Sequence, residues 1–254
     1  MSIRSEVRDG VARIVIDRPE KKNALTAAMY AAFDQALAAA EADPAVRVIS
    51  VAGAGGCFSA GNDIEDFLAN PPLTQDAPVF RFLMRLAGLT KPLVARVAGP
   101  AVGVGTTFLL HCDLVLAATD ARFAMSFIQL GLVPEAGSSL LLPRLAGLQG
   151  AAQKLMFGDP FDAAEAQRIG LVAEVVPAGQ LDATAEARLA RLVALPAAAL
   201  RATKALLRQG LEAELRQRIA DEAAIFAQRL QSPEAREAFA AFLERRKPDF
   251  SRFS

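Results

Sequence analysis

The chain of 254 residues has no tryptophan, one tyrosine, one histidine and two cysteines. Each scarcity excludes a class of chemistry. One histidine and two distant cysteines give no set with metal-ligand spacing. A Ser-His-Asp triad would have to use His111, which lies beside Cys112 in an apolar run and reads as core. The Gly-x-Ser-x-Gly elbow fails as well, because Ser59 is followed by Gly61 but preceded by Cys57. Cys57 and Cys112 each sit among apolar residues and read as buried free thiols. Neither sign of charge prevails, with 28 Lys plus Arg against 28 Asp plus Glu, so nothing in the charge favours a nucleic-acid partner. No apolar run reaches the roughly 18 residues of a membrane-spanning helix. The opening residues, Met1 to Glu6, lack the apolar centre of a secretory leader, and a cytoplasmic location is the expectation.

What is abundant is apolar surface: 53% of residues are hydrophobic, enough for one large core or for a core with a helical appendage. Residues 3–8 and 11–17 alternate about Asp9-Gly10, a hairpin pattern. Thr26 is a good N-cap for an alanine-rich helix running to Asp43. Strands are expected over 46–52, 92–98, 113–118 and 121–125, with helices over 77–88 and 106–111 between or after them. Strands apolar on both faces that alternate with helices predict an α/β core with a mainly parallel sheet. Beyond about residue 147 only 171–176 reads as strand, and helices are expected over 180–194, 197–208, 211–230 and 233–246. The last begins Ser232-Pro233-Glu234, a cap, a proline and an acid. It places Ala235, Ala238, Phe239, Phe242 and Leu243 on one apolar face, to be covered by its own core or by a neighbouring subunit.

Two glycine-rich turns and one carboxylate invite a functional reading. Gly103-x-Gly105 follows a strand and precedes a helix, but Phe108 stands where a dinucleotide fingerprint needs a third small residue. No Gly-Lys-Ser/Thr follows for a phosphate loop. Such a turn still aims backbone N–H groups at negative charge. Val104 offers one such donor and Asn62, in the small-residue loop 60–64, offers another. Two converging amides make an oxyanion hole. Glu135 lies in Gly131-Leu132-Val133-Pro134-Glu135-Ala136-Gly137, at a turn expected to lead into a short helix that Pro143 stops. A carboxylate beside an oxyanion hole can move a proton on a carbon next to a carbonyl. Walls of Leu132, Val133 and Phe127 would raise its pKa, and a helix start would lower it.

These stretches occur in a telling order: Ile16-Asp17-Arg18-Pro19 with Asn23-Ala24-Leu25, then Phe58-Ser59-Ala60-Gly61-Asn62-Asp63, then Ala98 to Gly105, Cys112-Asp113, Gly131 to Glu135, and Ala241 to Phe250. Together they resemble the enoyl-CoA hydratase/isomerase (crotonase) family over essentially the whole chain. The resemblance implies an α/β crotonase spiral of ββα units over residues 1–195. A C-terminal helical oligomerisation region over 196–254 would then assemble a homotrimer or a dimer of trimers. It implies an acyl-CoA substrate whose coenzyme A arrives as part of the thioester, with no permanently bound cofactor and no metal. The oxyanion donors map to Asn62 and Val104, the latter where the family usually has glycine. Hydratases of the family hold water between two glutamates, and those positions carry Thr107 and Phe127 here. Glu135 occupies the position of the catalytic glutamate in 3-enoyl-CoA isomerase-type members. Coenzyme A contacts are implied for Lys22, Ala24, Ala60, Gly61, Asp63 and Ile64. Thr107 and Phe127 would line the substrate, and Phe242 and Arg245 would reach the site of a neighbouring subunit. The expectation is an isomerase with Glu135 as acid and base. The alternatives are hydration, thioester hydrolysis, rearrangement of a ring-substituted acyl-CoA, and a non-catalytic acyl-CoA-binding protein.

Overall fold

The computed structural model describes residues 2–74 and 76–253. β1 (Ser2–Arg8) and β2 (Val11–Asp17) form the hairpin about Asp9-Gly10, where both turn residues take positive φ. α1 (Ala27–Ala42) follows, its first turn closed by Thr26, which accepts from the Met29 amide. β3 (Val48–Gly53) leads to α2 (Ile64–Ala69) and α3 (Pro78–Ala87). β4 (Leu93–Val97), β5 (Pro100–Val102) and the one-turn α4 (Val104–Thr107) come next, with a 3-10 turn over Phe108–His111. β6 (Leu114–Ala118) and β7 (Arg122–Ala124) precede the long α5 (Ser138–Phe157). β8 (Phe161–Asp162), α6 (Ala163–Arg168) and β9 (Glu174–Val176) complete the strand-bearing part. Then come α7 (Leu181–Ala194), α8 (Ala197–Leu207), α9 (Glu212–Leu230) and α10 (Pro233–Leu243).

The main sheet has the order β1-β2-β3-β4-β6-β9, antiparallel only at the hairpin. Its central strands are apolar apart from Ser50 and Arg96, because helices cover both faces. On one side Phe33 and Leu37 of α1 join Ile14, Ile49 and Val51 in the principal core. On the other, Leu189 of α7 packs on Val11, Val48 and Val94. A smaller sheet pairs β5 with β7 in parallel and β7 with β8 antiparallel. α9 buries Leu215, Ile219, Glu222, Ala223 and Phe226, the i, i+4, i+7, i+8 stripe of an amphipathic helix. Leu215, Ile219 and Ala223 belong to the principal core, so the helical C-terminal region folds back onto the body of its own chain.

Several expectations need correction. Pro143 does not stop its helix: α5 continues to Phe157, and the break falls at Gly147, with φ 71° and ψ 164°. The proline forfeits one backbone bond, but burial of Leu140, Leu142 and Ala151 holds the helix on either side. The strand β8 and the short helices α2 and α6 were not foreseen, and 171–176 shrinks to β9. The helix expected over 106–111 is instead α4 plus the 3-10 turn. Cys112 is half-buried, whereas Cys57 is buried, and both thiols are free. On α10, Ala235, Ala238 and Phe239 are buried in the chain itself, but Phe242 and Leu243 are 57% and 55% exposed.

Candidate active site

The loop after β3 is pinned before it reaches any ligand. Asn23, buried with φ 57°, donates from Nδ2 to the carbonyls of Ala54 (2.8 Å) and Cys57 (2.6 Å) and accepts from the Arg18 amide. Phe58 and Ser59 donate their amides to the Pro100 carbonyl, and Val102 donates to the Ser59 carbonyl at 2.9 Å. This is a parallel pairing with Ser59 opposite Ala101. Three residues further along stand Asn62 and Val104, and the glycines before them lie against each other, a Cβ built on Gly61 falling 3.9 Å from the Gly103 Cα. Neither amide meets a protein acceptor among the described residues.

Two glycines make the approach possible. Gly61 has φ 89°, and a Cβ built there would lie 2.8 Å from the Val102 carbonyl. Gly103 has φ 55° and ψ −121°, a conformation closed to L side chains, and it turns the next amide out of the ladder. Val104 is the first residue of α4, where an N–H has no intrahelical partner. Two unpaired amides from adjacent turns are the elements of an oxyanion hole.

Glu135 is 6% exposed. It lines a hollow with Asn62, Phe67, Pro72, Val79, Phe80 and Phe226. The hollow adjoins two others that share Asn62 and Phe67 with it. The walls facing Glu135 therefore come from α2, α3 and α9, while Phe127 and Leu132 line the adjoining space beside Gly103. Burial pushes the carboxyl up to about 8. The hydroxyl of Thr107 donates to Oε1 and pulls the value down, and the charge of Glu222 adds to the rise. Desolvation thus outweighs hydrogen bonding here.

Three further groups complete the surroundings. Tyr30, 3% exposed, donates its hydroxyl to Asn62 Oδ1 at 2.6 Å and fixes that side chain. Burial, and secondarily the charge of Glu135, holds the phenol well above its ordinary range. Glu222 of α9 accepts from the amides of Gly137 (2.6 Å) and Ser139 (2.9 Å), capping the start of α5. His111, 1% exposed, contacts the Ala136 carbonyl through Nε2 at 2.8 Å.

A family model for enoyl-CoA hydratase/isomerase matches residues 6–252. The chain belongs to this family. Among its relatives is a protein of Rhodobacter capsulatus named probable enoyl-CoA hydratase, 36% identical, with 98% of each chain covered. Human enoyl-CoA delta isomerase 2 is 35% identical over 94% of this chain and 62% of the longer human one. The solved structure of Pseudomonas aeruginosa OdaA superimposes with a TM-score of 0.91 at 46% identity, covering 95% of this chain and 98% of that one. The fold is therefore the crotonase fold, in an enzyme family whose members carry both hydratase and isomerase names.

Within that family frame the residues singled out in the sequence divide into groups. Asn62, Gly61, Ala60 and Ile64 line one continuous space with Phe127, and Val104 sits beside it in α4. Thr107 lies on Glu135. Asp63 turns its carboxylate away from the hollow: it takes Arg18 at 2.6 Å and caps α2 through the Asp66 amide. Lys22 is exposed, and its carbonyl accepts from the Ala60 amide; Ala24 is buried beside it, and its carbonyl takes Arg18. Phe242 and Arg245 are exposed and line none of these hollows. Tyr30, His111 and Glu222 escaped the sequence reading as site residues. A lone tyrosine in an alanine-rich helix was the one signal present.

Proposed function

We propose that this protein shifts the double bond of a 3-enoyl-CoA to the 2-position, with Glu135 as the only acid and base. The carboxylate takes a proton from C2. The C–H electron pair forms C1=C2 and pushes the carbonyl pair onto the thioester oxygen, a dienolate received by the Asn62 and Val104 amides. Its collapse re-forms the carbonyl, makes C2=C3 and leaves the former C3=C4 pair to take a proton at C4. The protonated Glu135 then returns its proton to C4, so atoms and charge balance without water. Each donor of such a hole contributes about 2.7–4 kcal/mol in well-studied cases.

The observation that carries this reading is the count of carboxylates. Glu135 and Asp66 are the acids lining the three joined hollows among the described residues. Asp66 is already committed to the Ala27 amide at 2.7 Å and to the Asn70 side chain. Thr107 and Phe127 stand where the resemblance places the two hydratase glutamates, leaving nothing to activate water. Lys22, Ala24, Ala60, Gly61, Asp63 and Ile64 are assigned to the coenzyme A portion, with Thr107 and Phe127 beside the acyl group. Phe242 and Arg245 are assigned to the site of a neighbouring subunit in a homotrimer or a dimer of trimers. No cofactor beyond the thioester is required. No described helix is long and apolar enough to cross a membrane, and a cytoplasmic location fits the substrate.

The test is Glu135→Gln, assayed for proton exchange at C2 in deuterated water and for conversion of 3-enoyl-CoA to 2-enoyl-CoA. Both activities should vanish while acyl-CoA binding stays within a few-fold. Wild-type turnover in the variant refutes the assignment. The name of the Rhodobacter relative favours hydration as a second reading. Formation of 3-hydroxyacyl-CoA from 2-enoyl-CoA distinguishes the two, and the rate expected here is negligible.

A further inference from the structure

The turn that carries Glu135 is not self-supporting. Ala136, the next residue, has φ 61°, in the left-handed region that disfavours any residue with a Cβ. Gly137 follows with φ 69° and serves as N-cap of α5 without any side-chain cap of its own. Such a stretch keeps its shape only where its surroundings over-determine it.

Two buried side chains from distant parts of the chain do so. Nε2 of His111 lies 2.8 Å from the Ala136 carbonyl, an acceptor, so this nitrogen carries the proton. Nδ1, the acceptor of that neutral tautomer, is buried with no donor among the described residues. The histidine is itself fixed, because its carbonyl accepts from Arg208 at 2.6 Å. From α9, Glu222 spans the first turn of α5 with both oxygens, one on the Gly137 amide and one on the Ser139 amide. Arg218, one turn earlier on α9, adds a bond to the Ser139 hydroxyl at 3.2 Å. The carbonyl side of the turn is thus held by the segment after α4, and the amide side by the C-terminal helical region.

We infer that His111 and Glu222 are positioning residues for Glu135, clamping the backbone on its C-terminal side so that the carboxylate meets Thr107 and faces Asn62. The inference rests on Glu135 being the acting group of the proposed reaction. If the clamp loosens, Ala136 relaxes toward an ordinary conformation and Glu135 leaves the carbons it must reach. A misplacement of about 1 Å costs on the order of a hundredfold in rate in such arrangements. The clamp also has an electrostatic part. The groups facing Glu135 are Thr107 from α4, Tyr30 from α1, Asn62 from the loop before α2, and Glu222 from α9, which faces Arg218 on its own helix. His111 faces Arg208 and Lys204. Of those around Glu135, Glu222 is the acid whose charge opposes its ionisation.

The experiment compares Glu222→Gln, Glu222→Leu, His111→Gln and His111→Leu with wild type. Measured are kcat, KM and the pH profile of C2 exchange, each per folded site. Alongside them, the carboxyl titration of Glu135 is followed by infrared difference against Glu135→Gln. Both leucine variants should lose tenfold or more in kcat with KM within about twofold. His111→Gln, whose amide can donate near the Nε2 position, should recover most of the loss. Glu222→Gln should move both the acid limb and the infrared midpoint to lower pH. Leucine variants that fold and keep the wild-type kcat would overturn the clamp. Should they fail to fold, an unmoved limb and midpoint in Glu222→Gln overturn it equally. If wild type shows no isomerisation at all, the proposed reaction falls, and the infrared midpoint alone still decides for or against the clamp.

Discussion

Thr107 stands where the family resemblance implies a hydratase glutamate, and its hydroxyl donates to Glu135. Thr107→Val removes that donor and keeps the shape, so it isolates the bond. A hydrogen bond to a charged group contributes roughly 1.5–3 kcal/mol, and one pKa unit corresponds to about 1.36 kcal/mol. Without the bond the carboxylate loses its stabilisation and burial is opposed by less, so the pKa of Glu135 should climb from about 8 by about one to two units. At pH 7 the ionised fraction of the wild-type group is roughly one in ten, and in the variant it falls to about one in a hundred or below. The assay is kcat/KM for C2 exchange from pH 6 to 10 in wild type, Thr107→Val and Thr107→Ser. Valine should cost about 10- to 100-fold at pH 7 and little above the displaced limb, and serine should restore the wild-type curve. A limb that stays put or moves down refutes the reasoning. So does a loss that is the same at every pH, which would mean that the threonine acts by shape alone.

Three further outcomes follow from the same structure. Glu135 binds its proton more tightly folded than unfolded, so the stability this confers is complete below pH about 4.5 and is lost as pH rises through about 8. Glu135→Gln should therefore match wild type near pH 4 and exceed it by roughly 3 kcal/mol at pH 7, read by urea denaturation at both pH values. His111 has the opposite sense: burial lowers it from 6.5 to about 4, so the folded state loses stability as pH falls through that interval, and His111→Gln should flatten the dependence. Gly61→Ala puts a Cβ 2.8 Å from the Val102 carbonyl at φ 89°. It should cost about 1–3 kcal/mol in a thermal melt and about a hundredfold in kcat by displacing the Asn62 amide.

Local signals carried much of this. Asp9-Gly10 fixed the hairpin, Thr26 the start of α1, and Ser232-Pro233 the start of α10, because each acts within one turn of the chain. The two glycine turns and Glu135 were legible for the same reason, and structure brings Asn62 and Glu135 to one hollow. The failures are tertiary. Pro143 breaks an isolated helix, but burial of Leu140 and Leu142 before it and of Ala151 after it outweighs one missing bond. The cap of α5 comes from Glu222, 85 residues further along the chain, so no window of sequence contains it. Asp63 reads as a loop acid near a ligand, yet Arg18, 45 positions earlier, takes its charge. The contest between burial and the helix start at Glu135 was likewise undecidable without knowing which helices roof it.

That contest bears on why one carboxylate would suffice for the proposed double-bond shift. A hydration needs one group to activate water and another to manage the carbon-bound proton, hence two acids with separated pKa values. A double-bond shift uses the two functions in succession, first as base at C2 and then as acid at C4. A single group performs both best when neither form is strongly disfavoured, which means a pKa near the working pH. An exposed glutamate, near 4.3, would be a weak base toward carbon and would hold a proton poorly for the return. Burial among Phe67, Phe80 and Phe226 moves Glu135 toward balance, and Thr107 keeps the rise from overshooting. The same apolar walls would leave the intermediate's negative charge stranded if the amides of Asn62 and Val104 were not unpaired beside it. Desolvating the acid and supplying two backbone donors are therefore one requirement seen from the two ends of the proton's path. The bridge of Ser59 to Ala101 holds the two segments that carry these amides against each other, while α9 caps the helix that follows Glu135 and helps to roof the hollow.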